Sequence, residues 1–228
     1  PFELGKYYNF ILRASGDNEK GIYYAQSGSV NNVKKADLNM ADLLTESYQW
    51  QFIGNPYAIQ VKSKDGKYIQ LTDGSNNATL ENESDFTFKL SERQNGEFQL
   101  IGNGLSGNNI YFGDYSNADV MGCWAQNDAG TFLKVAELPV ALTVSATGYS
   151  TFCSAEALDF TDMTDVKAYR AVVDTDAEGK VIKFEQVTGA VPAEEGLLIK
   201  GTKDTEVNTA VPVATTTPDD IENVFVGT

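Results

Sequence analysis

Loops in the first part of the chain combine acidic, amide and aromatic side chains, a mixture with which proteins can bind sugars. A carboxylate and an amide hydrogen-bond to sugar hydroxyls, while an aromatic ring stacks on the apolar face of the sugar. The alternative is that the rings belong to the core and that Asp and Asn only form turns. Trp124 is the main candidate for stacking, because polar residues surround it in the sequence. The candidate sugar-binding residues are Asp114, Tyr115, Asn117, Trp124, Gln126, Asn127, Asp65 and Tyr68.

An acidic loop in the last third of the chain is a second candidate site. Asp174, Asp176, Glu178, Gly179 and Glu185 nearly fit the calcium-loop pattern D-x-[DN]-x-[DN]-G-x5-E, with Glu178 as the departure. Such a loop normally lies between two helices, whereas the residues that follow this one alternate like a strand. The sequence therefore favours an acidic hairpin turn, with calcium binding as the alternative, and no metal site is firmly predicted.

Catalytic motifs are missing from the sequence. The 228 residues include no His, which excludes Ser-His-Asp and Cys-His catalysis within the chain. Ser-x-x-Lys, Walker and Gly-x-Gly-x-x-Gly patterns are also missing. A pair of catalytic carboxylates stays open, because such pairs are recognised by geometry and not by spacing. We predict a protein that is not an enzyme and that uses no cofactor.

Charge and composition limit the possible partners. The formal net charge of −15 argues against nucleic acid, which requires clustered Lys and Arg to neutralise phosphates. No apolar run reaches about 18 residues, so no membrane insertion is predicted for this segment. The two cysteines, Cys123 and Cys153, are predicted to be free buried thiols, with a disulfide as the alternative.

A threefold repeat organises the first 138 residues. Residues 48–71 read as three short strands separated by turn signals, and similar strands recur at intervals of about 40 residues. The closing aromatic strands are 48–52, 86–90 and 131–135, the Tyr-containing strands are 21–24, 67–70 and 109–112, and the opening strands are 8–12, 57–61 and 97–101.

These repeats predict an all-β fold with a β-trefoil over residues 1–138. One copy of the repeat cannot bury its aromatic face, whereas three copies around a pseudo-axis close a barrel without exposed edges. Residues 35–48 interrupt the pattern because their apolar positions have helical spacing, and we predict an inserted helical turn there.

Five short motifs in the first part of the chain match a known family. They are 48–52 (YQWQF), 57–59 (YAI), 65–69 (DGKYI), 122–124 (GCW) and 128–132 (DAGTF). In these motifs the first part of the chain resembles ricin-type lectin-like domains found in secreted proteins of gut Bacteroidetes. The Gln-x-Trp signature of that family has no true copy here. The resemblance implies a β-trefoil that binds a glycan or surface polysaccharide.

Residues 139–228 differ in amino-acid composition from residues 1–138, with fewer aromatic residues and more Val, Thr and Ala. Their pattern predicts an antiparallel, β-sandwich-like second domain. The predicted strands are 140–144, 148–153, 166–173, 180–187, 196–200 and 206–213.

A series of motifs in the second domain also matches a known family. The motifs are 146–154 (ATGYSTFCS), 157–160 (ALDF), 166–169 (VKAY), 191–193 (VPA) and 196–201 (GLLIKG). In these motifs the second domain resembles a repeat module of Bacteroides and Prevotella surface proteins. The resemblance implies an accessory module on the cell surface or outside the cell, and further domains in a longer parent protein. We therefore expect a non-catalytic extracellular binding module, with carbohydrate as its ligand. The alternative is a structural or protein-interaction spacer within a larger surface protein.

Overall fold

The protein is all-β, with antiparallel sheets and short 3-10 helices. The computed structural model of the chain describes residues 2–12, 22–71, 78–103, 109–115, 120–124, 131–176, 179–218 and 223–225. None of the helices in these ranges has the length and apolar character that are needed to cross a bilayer. The chain divides into two compact units, which are Pro1–Leu38 with Asp42–Leu138, and Asn39–Ala41 with Pro139–Thr228.

Residues 35–48, for which a helical turn is predicted, contain three 3-10 helices in the described chain, namely Lys35–Asp37, Met40–Leu44 and Glu46–Tyr48.

Twelve short strands of the described residues form the sheet of the first unit. The strands are β1 (Tyr7–Leu12), β2 (Tyr23–Tyr24), β3 (Val33–Lys34), β4 (Gln49–Asn55), β5 (Ala58–Ser63), β6 (Tyr68–Leu71), β7 (Ala78–Glu81), β8 (Phe88–Glu92), β9 (Phe98–Asn103), β10 (Asn109–Tyr115), β11 (Val120–Trp124) and β12 (Lys134–Ala136).

Six of these strands pair in a closed sequence. Strand β1 pairs with β4, β4 with β5, β5 with β8, and β8 with β9. Phe98 in β9 forms a bridge with Leu133, just before β12, and β12 pairs with β1. The other six strands form the hairpins β2–β3, β6–β7 and β10–β11. Each third of the unit therefore contributes two strands to the ring and one hairpin.

Aromatic side chains fill the core of this ring. The strand period places alternate residues inward, so that Ile59 and Val61 in β5 are fully buried while the residues between them are not. The indole Nε1–H of Trp50, which is also fully buried, donates a hydrogen bond of 3.0 Å to the carbonyl oxygen of Ala25. The largest rings with no exposed surface are Phe10, Trp50, Phe52, Phe88, Phe98 and Phe112.

The described residues of the second unit form three small antiparallel sheets. The ends of the predicted strands lie no more than three residues from the observed ends, and β15 and β18 are two short strands that the pattern did not predict. The strands are β13 (Val140–Val144), β14 (Tyr149–Phe152), β15 (Leu158–Asp159), β16 (Lys167–Asp176), β17 (Gly179–Val187), β18 (Ala190–Val191), β19 (Leu197–Lys200) and β20 (Val207–Val211). The sheets have the strand orders β13–β20, β14–β19–β16–β17 and β15–β18.

Aliphatic residues dominate the core of the second unit. Val144, Leu197, Ile199 and Val211 pack there with at most 1% of their surface exposed. The long hairpin of β16 and β17 is different, because Ile182 keeps 63% of its surface exposed. This hairpin therefore presents some apolar side chains to solvent, while others, such as Ala168, pack in the core.

Both cysteines are free thiols, as predicted. Cys123 is buried in β11, and this burial raises the pKa of its thiol above the ordinary value. Cys153, just after β14, is half-buried, so its burial is less complete than the sequence predicted.

Candidate functional site

A cleft of about 610 Å³ opens on the first unit, lined by residues 27–30, Lys67 and residues 78–80. Residues 27–30 lie between β2 and β3, Lys67 immediately precedes β6, and residues 78–80 belong to β7. We call it the 27–30 cleft. Its lining residues are of three types: the hydroxyl-bearing Ser27, Ser29 and Thr79, the basic Lys67, and the apolar Val30, Ala78 and Leu80, with Gly28.

Asp65 connects two walls of the cleft. The hydroxyl of Ser27 donates a 2.5 Å hydrogen bond to Asp65 Oδ2, and that of Ser63 donates one of 2.5 Å to Asp65 Oδ1. Both serines are buried, whereas Asp65 itself remains exposed. The carboxylate therefore holds the 27–30 segment against the β5–β6 turn while it still borders solvent.

Replacing Asp65 by alanine is expected to lower the free energy of unfolding of the first unit by about 1–3 kcal/mol, because two buried hydroxyls lose their charged acceptor. Urea denaturation followed by fluorescence measures the change. Asp85→Ala removes an exposed carboxylate from the same unit and should change stability by less than about 0.5 kcal/mol. Equal effects of the two substitutions would contradict the structural role of Asp65.

Lys67 is held at the cleft by its neighbours. Its backbone N–H donates a 2.8 Å hydrogen bond to Ser63 Oγ, and its Nζ donates one of 2.7 Å to Asn82 Oδ1. The Asn82 contact is exposed. An ammonium group has three N–H donors and the Asn82 bond uses one of them, so Lys67 can donate further hydrogen bonds to a ligand.

Thr79 carries an unused polar group in the cleft wall. Its Oγ1 is shielded from solvent and has no hydrogen-bond partner among the described residues. A shielded hydroxyl without a partner costs free energy, and native structures usually satisfy such groups with protein, water or ligand atoms. Thr79 is therefore a residue of the cleft lining whose hydroxyl the described residues leave unsatisfied.

Asp114 lies elsewhere, in the β10–β11 hairpin. It has no exposed surface, and Asn32 Nδ2 donates a 2.7 Å hydrogen bond to its Oδ1. The hairpin register pairs Asp114 with Met121, and Trp124 with Tyr111. In this structure the Asp114 carboxylate ties two distant segments together, and it is not directed at solvent.

The other sugar-binding candidates of this hairpin fall at or beyond the limits of the described chain. Tyr115 and Trp124 end strands β10 and β11, and their side chains are not described. Asn117, Gln126 and Asn127 lie outside the described residues. Their roles in sugar binding stay predictions.

Tyr68 is placed beside the cleft residues but has a partner of its own. It lies in β6 directly after Lys67 and is half-buried. The Nζ of Lys62 lies 4.9 Å from the centroid of the Tyr68 ring, which is cation–π distance. One face of this ring is thus already covered by a cation.

The acidic loop of the second unit forms the turn of the β16–β17 hairpin, flanked by strands. Asp174 forms an ion pair with Lys183, which lowers the pKa of its carboxyl, and Arg170 contacts Glu185 at 2.9 Å. Asp174 is opposite Val181, so it lies about 13 Å along the hairpin from Glu185. Within the described side chains, no three potential ligands come together. The Asp176 side chain and Glu178 lie outside them, so calcium binding stays a prediction.

None of the residues that line the cleft was among the sequence candidates. Two candidates, Asp65 and Tyr68, are close neighbours of the lining residue Lys67 in the sequence. Ser27, Ser29, Lys67 and Thr79 are common surface residue types, and nothing in their spacing connects positions 27, 67 and 79. A Ser-Gly-Ser run and a Lys after Asp65-Gly66 were the available signals. The cleft exists because the Ser27–Asp65 hydrogen bond spans 38 residues of sequence.

The described residues define an all-β protein with a small cleft lined by polar and apolar residues. No protein-family model matches the chain, and no curated protein sequence matches it either. The function must therefore be argued from the chemistry of the chain itself.

Proposed function

We propose that the chain is a non-catalytic carbohydrate-binding module whose first unit is a ricin-like β-trefoil. The support for the trefoil is the strand pairing, in which three repeats each supply two strands of a closed ring and one hairpin. The repeats follow one another at intervals of about 40 residues, as the aromatic strands do in the sequence. Such a barrel buries its own aromatic residues and leaves loops and hairpins for recognition.

The observation that carries the proposed function is the hydroxyl of Thr79, a residue of the 27–30 cleft, which has no hydrogen-bond partner in the described part of the chain, together with Lys67. Hydroxyl and ammonium groups bind sugar hydroxyls, and Lys67 would also favour a sugar that carries a carboxylate or sulfate. The volume of about 610 Å³ lies within the range of about 300–1,000 Å³ that is common for small-molecule sites. The cleft thus suits one or two sugar units at the end or side of a glycan.

The second unit is proposed to be a β-sandwich-like accessory module, and the whole chain to act outside the cell or at its surface. Its support is the series of short antiparallel strands around an aliphatic core. The alternative function, a structural or protein-interaction spacer, draws its support from the exposed apolar residues of the β16–β17 hairpin.

A glycan array that includes acidic and sulfated sugars tests the proposal with the whole chain. For a glycan that binds, Thr79→Val is expected to weaken affinity about 3–10-fold, because valine keeps the shape and removes one hydrogen bond. Lys67→Ala is expected to weaken it about 10–100-fold for an acidic glycan, because a charge-assisted bond is lost.

Tyr57→Ala provides the matched control. Tyr57 is 80% exposed in the β4–β5 turn, outside the cleft, and is the most exposed aromatic ring among the described residues. Binding that is lost in Tyr57→Ala and kept in Thr79→Val would move the site away from the cleft. An array without any bound glycan would remove the carbohydrate proposal.

A further inference from the structure

The outer edge of strand β17 is nine residues long, and no other described strand pairs with it. Its sheet has the order β14–β19–β16–β17, which leaves β17 at the end. Among the described residues, its backbone forms pairs only with β16. An unpaired edge of this length offers a row of N–H and C=O groups to another strand, unless charge or a bulge prevents it.

The hydrogen bonds of Ala171 show which residues of β17 point outward. The Ala171 N–H donates to Asn223 Oδ1 at 3.1 Å, and its carbonyl oxygen accepts from the N–H of Val224 at 2.8 Å. Both backbone groups therefore point away from β17, which makes Ala171–Phe184 a non-hydrogen-bonded pair of the hairpin. It follows that the N–H and C=O of Phe184 face the outer edge, and alternation gives the same direction to Ile182 and Gln186.

The side chains next to these groups are apolar and accessible. Ile182 and Phe184 lie on one face of β17, with 63% and 48% of their surface exposed, and Val173 on β16 is 44% exposed. The Phe184 ring contacts Phe225 at a centroid distance of 6.2 Å and is still half exposed. This face gains buried apolar area if another strand is added to the sheet.

We propose that β17 pairs antiparallel with β17 of a second copy of this chain, with Phe184 opposite Phe184. In that register Lys183 lies opposite Glu185 of the second copy, and Glu185 lies opposite Lys183 of the second copy. Val181 lies opposite Val187. The two charged pairs are non-hydrogen-bonded pairs, in which side chains approach most closely. Each Glu185 then lies between Arg170 of its own chain and Lys183 of the other.

Charge selects this register over its neighbours. The backbone N–H and C=O groups at the outer edge of one strand must face those of the other strand. The nearest alternative registers are therefore reached by shifting one strand along the other by two residues, in either direction. One of them places Lys183 opposite Lys183, and the other places Glu185 opposite Glu185, and both bring like charges together. Lysine on an edge strand usually discourages pairing, but here the strand carries its own complement two residues away.

The second copy is the occupant that the sequence of β17 specifies. A strand of unrelated sequence would need a cation and an anion at the same spacing, whereas β17 supplies both to itself. The exposed fractions of Lys183 and Glu185 side chains, 58% and 52%, leave each group room for a second ion pair. A two-fold arrangement of identical edges is also the commonest symmetry of protein dimers.

Sedimentation equilibrium of the whole chain at about 0.15 M salt tests the proposal, since this salt screens the net charge of −15 beyond about 8 Å. The expected mass rises from 24.8 kDa towards twice that value with concentration. Lys183→Glu alone and Glu185→Lys alone should each weaken association at least about tenfold, because each places like charges opposite each other twice. An equimolar mixture of the two variants should restore association, because every pair is then of opposite sign.

Lys180→Glu is the matched control, since it changes the net charge as Lys183→Glu does but lies opposite Thr188 in the proposed register. It should associate like the unmodified chain. Far-UV circular dichroism and urea denaturation show that each variant is folded before it is compared. Ile182→Pro, which removes an outward N–H and no pair within the hairpin, should also abolish association.

Three results would overturn the proposal. The first is a mass of 24.8 kDa at all concentrations up to about 1 mM, the weak end of specific association. The second is a dimer that Lys183→Glu and Ile182→Pro leave intact, which would mean that another surface forms it. The third is a mixture of the two folded charge variants that stays monomeric.

Discussion

Replacing Phe10 by alanine is expected to lower the free energy of unfolding of the first unit by about 3–5 kcal/mol, the cost of removing a large buried ring and leaving a cavity. Phe10 has no exposed surface and contacts four other rings, those of Trp50, Phe52, Phe98 and Phe112, at centroid distances of 5.2–6.5 Å. These rings come from different repeats of the chain. Collapse at this position would need all of them to move together.

Urea denaturation of the whole chain measures this change, with Trp50 as a fluorescent probe inside the first unit. Tyr57→Ala is the control, because it removes an aromatic ring of similar size that is 80% exposed, and it should change stability by less than about 0.5 kcal/mol. Small domains are stable by about 5–15 kcal/mol, so the Phe10 variant should keep its fold but denature at much lower urea concentration. A loss below about 1 kcal/mol would mean that the ring cluster around Phe10 is not the centre of the core.

The positions of the strands were predictable because strand period and turn residues are local signals. The aromatic strands around Trp50, Phe88 and Leu133 follow from alternation, and all three positions are fully buried. The spacing of these strands also predicted that they share one core. The 3-10 form of residues 40–44 was less accessible to such reasoning, because helical spacing alone does not separate 3-10 from α-helical turns.

The candidate site was harder to predict because the type of a polar residue does not indicate which group it will bond to in the folded chain. Asp114 had the composition of a ligand residue, yet its carboxylate is fully buried against Asn32, which is 82 residues away in the sequence. Asp65 likewise bonds to Ser27, far from it along the chain. The partner of each carboxylate is set by the fold and not by neighbouring residues in the sequence, so local patterns could not predict either bond.

The charge pattern of β17 is visible in the sequence, but it can be interpreted only once the structure shows that β17 lies at the edge of its sheet. The alternation of Val181–Glu185 predicted a strand, but the significance of Lys183 and Glu185 depends on which strand lies at the end of the sheet. The bonds from Ala171 to residues 223–224 fix the direction of the backbone groups. Charge pattern and edge position together then define a single register.

The tight turn between β4 and β5 gives the second large expected effect, from Gly54→Ala. Gly54 has φ +115°, a conformation that residues with a Cβ rarely adopt, and a Cβ built there would lie 2.2 Å from the carbonyl oxygen of Ala58. That atom belongs to the backbone of β5 and cannot swing aside as a flexible side chain could. We expect a loss of about 2–5 kcal/mol in the free energy of unfolding of the first unit, from backbone strain and overpacking combined.

Gly66→Ala separates the two contributions. Gly66 also has positive φ, +95°, but a Cβ there would meet no atom within 4 Å, so only backbone strain of about 1–2 kcal/mol is expected. In urea denaturation, the free energy of unfolding of the Gly54→Ala variant should therefore be lower than that of the Gly66→Ala variant by at least about 1 kcal/mol. Equal losses would show that the turn relaxes around the new methyl group, and that the close approach of Gly54 to Ala58 does not hold β4 and β5 in register.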